Sequence, residues 1–321
     1  MNTKMKAERI VITGGAGFIG SNLIAKLVKN KVAIHLLLKQ STDQWRIANY
    51  VNTKKVFVHY LDLMDAAALK KIVTQIEPTI IYHLAAHGAT HAQNDPQKIL
   101  ESDLFGTLNL LIACEPIQYK LFVNIGSSSE YGFSDVPMSE AMQLQPNSYY
   151  AVAKAAQTQL ARYVAQSQKK PIITIRLFSV YGPYESHQKL FPSLFKAISN
   201  HTTIEMGNKA SAHDFVYVDD VIEGLLKIDT FSKLSGEIYN FGSGTQITLQ
   251  QVIKISETVT GQPILVNWQN TATHRWDTSH WVAATTKVKQ VITWEPRNFR
   301  QGLEIYWDWF REHQSLYAKM I

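Results

Sequence analysis

Short apolar runs alternating with amphipathic stretches place this chain in the α/β class, as a doubly wound parallel sheet followed by a smaller C-terminal α/β lobe. Two further observations support that class. The first apolar run feeds a glycine-rich loop that opens a helix. A chain of 321 residues, 45% hydrophobic and 18% charged, is also long enough to bury a substantial core without cross-links. Strands are expected over residues 9–13, 32–39, 56–61, 79–85, 121–126 and 172–178. Between them, residues 20–29, 66–76, 99–114 and 150–166 carry apolar positions three and four apart, the helical period. After Gly182 the pattern loosens into shorter elements and closes on a helix near 301–313.

Composition excludes several classes of function. Cys114 is the only cysteine, so neither an intramolecular disulfide nor a cysteine-based zinc site can form, and a reducing cytoplasmic setting is expected. The opening MNTKMKAER is polar and has no signal-peptide pattern. No stretch approaches the roughly 18 apolar residues of a membrane span. The net charge of +6 suits an anionic ligand such as a nucleotide, but the lysines occur in scattered pairs such as Lys54–Lys55 and Lys70–Lys71. No nucleic-acid stripe is expected.

The loop after the first strand reads TGGAGFIGSNL, with Gly14, Gly17 and Gly20 at intervals of three and Phe18 and Ile19 between the last two. The first glycine permits a tight turn, the second lets backbone approach a pyrophosphate, and the third lets the helix pack closely on the strand. A glycine triplet is weak alone, but here it follows a strand and opens a helix, the context that marks a Rossmann-type dinucleotide site. The expected division is a dinucleotide-binding domain over 1–180, with room for some later segments to return to it, and a mainly substrate-binding lobe over 181–321.

With this loop in place the sequence resembles the extended short-chain dehydrogenase/reductase family of nucleotide-sugar epimerases, dehydratases and reductases, from about residue 10 to about residue 310. Matching pieces are Asp62-Leu63, His83-Leu84-Ala85-Ala86, Gly126-Ser127-Ser128, Tyr150 to Lys154, RLFSVYGP over 176–183, DFVYVDD over 214–220, and Arg275 to Asp277. The resemblance implies that Asp62 and Leu63 flank the adenine and that Leu84, Ala85 and Ala86 line the pyrophosphate and ribose. Phe178 is counted with the cofactor residues. It also implies a nucleotide-sugar substrate and a homodimer, built from the helices over 99–114 and 150–166, whose Leu104, Leu108, Leu111, Leu160 and Val164 could supply a second apolar face; the competing reading is that they all face the sheet.

The choice of nicotinamide cofactor is read from the end of the second strand, where an acid holds a ribose hydroxyl and a base a 2′-phosphate. The residue there is Lys39, followed by Gln40, Ser41 and Thr42. An ammonium with hydroxyls beside it attracts a phosphate, so NADP is expected, the competing reading being NAD with Asp43 at the ribose.

Tyr150 and Lys154 lie four apart, on one face of a helix. A phenol of pKa about 10 needs several kcal/mol of phenolate stabilisation to act near pH 7, which the ammonium and an oxidised nicotinamide could supply. By resemblance, Tyr150 exchanges a proton with the sugar, Lys154 also holds the nicotinamide ribose, and Ser127 hydrogen-bonds the reacting oxygen. Tyr149 misses the spacing. Dehydratases resembling this chain carry a Glu, often after an Asp, directly behind the serine. Here those positions are Ser128 and Ser129, with Glu130 one residue too late, which argues against dehydration.

Other departures are Ser179 where Asn is usual, Asp103 where Asn is usual before Gly106-Thr107, and His213 in place of Arg. Arg275 keeps its place and is the candidate for the substrate diphosphate, with His87, Ser128, Ser129 and Ser179 lining the sugar. His83, His87 and His91 straddle a strand end and its loop, where a spacing of four has no geometric meaning, so no metal site is expected. NADP selects for a reductase, so the sequence favours NADPH-dependent reduction of a nucleotide-linked 4-keto-6-deoxyhexose. The alternative is a nucleotide-sugar 4-epimerase that retains its cofactor. A non-enzymatic NADP sensor is disfavoured because it needs no proton relay.

Overall fold

The computed structural model describes residues 8–89, 93–269 and 278–318. The strands are β1 (Glu8–Thr13), β2 (Val32–Leu38), β3 (Val56–Tyr60), β4 (Ile80–His83), β5 (Leu121–Ser127), β6 (Ile172–Leu177) and β7 (Ser179–Tyr181). Then follow β8 (Ile204–Met206), β9 (Ala212–Tyr217), β10 (Ile238–Phe241), β11 (Gln246–Thr248) and β12 (Val266–Trp268). The main sheet has seven strands in the order β10-β6-β5-β4-β1-β2-β3. β1 pairs in parallel with both β2 and β4. The order therefore reverses at β1, and the loops leaving β1 and β4 open a crevice at the carboxyl ends, where open parallel sheets bind ligands. β4 and β5 are buried along their whole length, as strands covered on both faces must be.

The helices that cover the sheet start and stop at legible residues. Asp65 caps Ala66–Ile76 by accepting from the Ala68 N–H at 3.0 Å, and Glu77 ends it in the left-handed region. Arg9 adds a second C-terminal cap, donating from Nε to the Ile76 carbonyl at 2.6 Å. Ser148 caps Tyr149–Gln168 through the Ala151 N–H at 3.1 Å. The helix expected over 99–114 is not continuous: Pro96–Leu100 and Gly106–Cys114 flank a π-helical turn, Glu101–Phe105. Periodicity cannot signal one inserted residue. The turn places Asp103 inside, and the Thr107 hydroxyl donates to the Asp103 carbonyl at 2.6 Å.

The chain forms two compact units. One holds the chain up to Gly132, Gln143–Arg176 and Leu225–Tyr239; the other holds Phe133–Met142, Leu177–Gly224 and the chain from Asn240 on. In the second unit β9 pairs with β7 in parallel and β11 in antiparallel, and β12 pairs with β8. Its core is aromatic: Phe191, Phe195, Phe215, Phe299, Tyr306 and Phe310 pack together. Asp214, fully buried there, accepts from the backbone N–H groups of Ser243, Gly244 and Ala283 and from the Ser243 hydroxyl, which pins the loop after β10. Among the described residues no helix is long and apolar enough to cross a membrane.

Candidate active site

The glycine loop divides its tasks as the spacing implies. Gly14 has φ +67°, and a Cβ there would lie 2.6 Å from the Ala85 nitrogen; a Cβ at Gly20 would meet the Gly15 Cα at 2.7 Å. Both are required by packing of the chain on itself. A Cβ at Gly17 would meet only the Gly14 carbonyl, at 3.1 Å. Gly17 is also the N-cap of Phe18–Leu27, whose first turn carries no acidic side chain. The cradle thus presents bare backbone and the positive end of a helix dipole, which fits a dinucleotide pyrophosphate.

Beneath this loop runs a buried hydrogen-bond chain. The Thr107 hydroxyl gives its proton to the Asp103 carbonyl, so His83 Nε2 must be the donor to Thr107 Oγ1, at 2.7 Å. His83 Nδ1 then accepts from Thr13 Oγ1, also at 2.7 Å, and Thr13 Oγ1 accepts the Ala85 N–H at 3.2 Å. Burial first, and the nearby Lys154 charge second, lower the His83 pKa to about 3. His83 is a neutral strut tying β1, the loop after β4 and the π turn together. It spans the crevice floor without being a ligand, and among the described residues no cluster could hold a metal ion.

Ser127 ends β5, and Tyr150 and Lys154 stand in the first turns of the helix Tyr149–Gln168. The Ser127 hydroxyl hydrogen-bonds the Tyr150 phenol and favours its ionised form. Lys154 is buried and donates to the Ile125 carbonyl at 3.0 Å and to Gln157 Oε1 at 2.9 Å, with Nζ 6.0 Å from the Tyr150 ring centroid. Gln157 is itself held by Asn124, at 2.6 Å. Burial, then the Asp103 charge, push the Tyr150 phenol well above its usual range, against the pull of the Ser127 hydrogen bond. Tyr149, in contrast, is 58% exposed.

Glu130 turns inward. Its Oε1 accepts the Ser127 N–H at 2.9 Å and the Thr158 hydroxyl at 3.0 Å, and its Oε2 meets Arg176 Nε at 2.8 Å, with both charged side chains buried. The Arg176 guanidinium also lies 4.6 Å from the Tyr131 ring centroid. Together with the Ser127 side chain, which accepts the Ser129 N–H, this forms a capping box around the turn Ser128–Tyr131. S-x-x-E over 127–130 is the sequence signature of this role, which is lost when Glu130 is read only as a base one residue too late.

Lys39 does not stand free at the end of β2. Its Nζ pairs with Asp62 Oδ2 at 3.0 Å, both side chains half exposed. Burial pushes the Asp62 carboxyl up, but the Met64 N–H and Lys39 bring it below its usual range. Ser41 is exposed nearby. Leu63 packs in the core under Gly106 and offers its carbonyl to Asn109 Nδ2 at 2.9 Å. Leu84 bonds the Thr13 carbonyl through its N–H at 3.2 Å, and Ala86 is exposed beyond it. His87 is half-buried, Ser128 buried and Ser129 half-buried. Phe178 and Ser179 belong to the second unit, where the Phe178 N–H donates to the Phe241 carbonyl at 3.0 Å. Arg275 and His91 lie outside the described residues.

A parallel sheet with its glycine cradle at the switch point, and a serine, tyrosine and lysine assembled at the ends of β5 and the following helix, define a dinucleotide-dependent enzyme of proton and hydride transfer. The chain belongs to the NAD dependent epimerase/dehydratase family, whose model matches residues 10–242. It is an NAD(P)-dependent enzyme that acts on a nucleotide sugar. It is 28% identical over 317 residues to a UDP-glucuronate 4-epimerase of Thermodesulfobacterium geofontis, covering 95% of this chain and 97% of that one. To a human dTDP-D-glucose 4,6-dehydratase it is 25% identical, over 96% of this chain and 91% of the relative. The crystal structure of UDP-glucuronic acid 4-epimerase from Bacillus cereus, bound to UDP-glucuronic acid and NAD, matches with a TM-score of 0.85 at 26% identity, over 95% of this chain and 99% of that one.

The expectation of NADP is overturned by these neighbours, which contain NAD. The physical reason lies in the Lys39–Asp62 pair: the ammonium that was expected to attract a 2′-phosphate already has a carboxylate at 3.0 Å, and that carboxylate repels a phosphate.

Proposed function

We propose that the protein is an NAD-dependent 4-epimerase of a UDP-linked sugar, with UDP-glucuronic acid as its first candidate substrate. The observation that carries this reading is the fate of Glu130. Elimination of water from the sugar needs a carboxyl group free to take and give protons beside Ser127, and the acid in this segment is locked to Arg176, Thr158 and the Ser127 backbone. Ser128 and Ser129, at the positions that would carry the base, have no suitable pKa. The machinery left, Ser127, Tyr150 and Lys154, moves one proton on and off a hydroxyl, which is what inversion through a ketone requires. Similarity to UDP-sugar 4-epimerases and the NAD in the related structure support the same choice over a 4-keto reductase fed by NADPH.

In this reading NAD, when bound, would supply the hydride acceptor and donor needed at C4 of the sugar, with return to the opposite face giving the epimer. Tyr150 removes the O4 proton as the hydride leaves and gives it back as the hydride returns, so no proton or electron is consumed. Ser127 donates to the reacting oxygen. Lys154, anchored by Ile125 and Gln157, keeps one N–H for the nicotinamide ribose. Phe18, Ile19 and the glycines cradle the pyrophosphate, Asp62 and Leu63 flank the adenine, and Ala85 and Ala86 border the ribose. His87, Ser128 and Ser129 face the sugar.

Incubation with NAD and UDP-glucuronic acid, UDP-glucose or UDP-N-acetylglucosamine, followed by proton NMR of C4, is expected to show the 4-epimer with no net change in nicotinamide absorbance. Stoichiometric oxidation of added NADPH, or appearance of a 4-keto-6-deoxy product, refutes the reading. A homodimer forms part of the same proposal, through the faces carrying Phe105 and Ile112 on one side and Val152 and Tyr163 on the other, all exposed. Leu111 and Val164, first counted with this face, instead pack into the core under the sheet. Sedimentation at micromolar concentration should give twice the 36.3 kDa chain mass.

A further inference from the structure

Among the described residues around Tyr150, Asp103 stands apart. It sits in the π turn Glu101–Phe105, which packs on the helix carrying Tyr150 and Lys154. Its side chain is fully buried; Oδ1 accepts the His87 backbone N–H at 2.6 Å, and Oδ2 is buried without a hydrogen-bond partner. A carboxylate oxygen left in that state costs free energy, and π turns recur at functional sites. An asparagine would satisfy the same N–H with its amide oxygen and bury no charge. The charge is what the aspartate adds.

We propose that Asp103 is a positioning residue for the Tyr150–Lys154 pair: its buried charge is the counter-ion of the Lys154 ammonium and opposes loss of the Tyr150 proton. This rests on the reading of Tyr150 as the proton-transfer group. Burial depresses the Lys154 ammonium, and the strongest influence against that is Asp103, followed by Glu130. Burial and then Asp103 raise the Tyr150 phenol. Burial raises the Asp103 carboxyl itself, against the pull of Lys154, of the His87 N–H and ring, and of the Ser102 hydroxyl. Among the described residues the remaining charged groups here are accounted for. Glu130, from the turn after β5, is paired with Arg176; His83, from β4, is neutral; and Glu101, in the π turn itself, accepts from Gln97 at 2.8 Å on the surface.

The test is Asp103→Asn, which keeps shape and removes charge. Without the anion, Tyr150 gives up its proton at lower pH, and Lys154 loses its own at lower pH too. Both limbs of the kcat/KM profile are therefore expected to move to lower pH, by about one unit. Asp103→Ala should move them in the same direction from a lower plateau. A purely structural role would lower the plateau and leave the limbs in place. A second measurement needs no sugar: 13C NMR of labelled tyrosine in the NAD complex, with the Tyr150 resonance identified by its loss in Tyr150→Phe. Its titration midpoint should fall by about one unit in Asp103→Asn. If the midpoint and both limbs stay where they are, or rise, Asp103 does not hold this charge. The NMR arm decides even if no UDP-sugar is epimerised, so failure of the proposed function and failure of this inference are separable.

Discussion

The two units solve the problem of a core in opposite ways. The first buries charge: Glu130 against Arg176, Lys154 near Asp103, and a neutral histidine in a chain of hydroxyls. The second buries rings, with Phe195 touching Tyr306, Trp307 and Phe310 at centroid distances of 5.1 to 5.3 Å. Aromatic packing gives area and shape at little electrostatic cost. Buried ion pairs add little net stability, because desolvation offsets their attraction. The charges in the first unit are therefore better explained by position than by stability: each one fixes the turn that holds Ser127 or the helix that holds Tyr150.

The largest expected effect tests that claim at the chemistry. Tyr150→Phe removes a hydroxyl from a packed ring and should lower turnover by about 10²–10⁴ while leaving NAD affinity nearly unchanged, as steady-state kinetics and cofactor titration would report. Retention of full turnover would move the proton relay elsewhere. Next comes the ion pair. Arg176→Met leaves Glu130 buried and unpaired and should destabilise the first unit by about 3–5 kcal/mol in denaturant unfolding, whereas Arg176→Met with Glu130→Gln should recover much of that loss. If the double variant is as unstable as the single, the pair contributes net stability and the contrast between the units weakens.

Phe195→Ala should cost the second unit a comparable amount, about 3–5 kcal/mol, through the cavity it leaves, with no ion-pair partner able to rescue it. Calorimetry showing no destabilisation would remove the aromatic side of the comparison. A smaller, pH-dependent effect belongs to His83. Its folded pKa of about 3 lies below the ordinary value of 6.5, so the unfolded state binds the extra proton between those values. Its contribution is fully present above pH 6.5 and is lost as pH falls toward 3, with a slope of at most about 1.4 kcal/mol per pH unit. His83→Gln should flatten that part of the stability profile. The smallest effect is at Lys39. Lys39→Ala breaks a half-exposed pair and should change stability by no more than about 1 kcal/mol.

Much of the first unit was legible because its signals are local. A strand, three glycines and a helix start occupy one short stretch, and a tyrosine four residues before a lysine shares its helix face whatever surrounds it. Strand limits shifted by only a residue or two for β1, β2, β3, β5 and β6. The second unit carries shorter strands and a core drawn from distant segments such as 181–215 and 299–317, so its pattern dissolves in sequence.

What the sequence alone determined was the fold class, the glycine turn between the first strand and helix, and the helix face that Tyr150 and Lys154 share, since each depends on spacing within one element or between neighbours in the chain. Tertiary structure decided the partners. Lys39 reads as a free cation until β3 delivers Asp62 beside it. Glu130 reads as a misplaced base until β6 brings Arg176 beneath it. Asp103 reads only as an aspartate where asparagine is usual until the π turn places it inside, against the His87 N–H. In all three the charge was visible in the chain, but its effect depends on distance and burial, and these are set by segments that meet only when the sheet has formed.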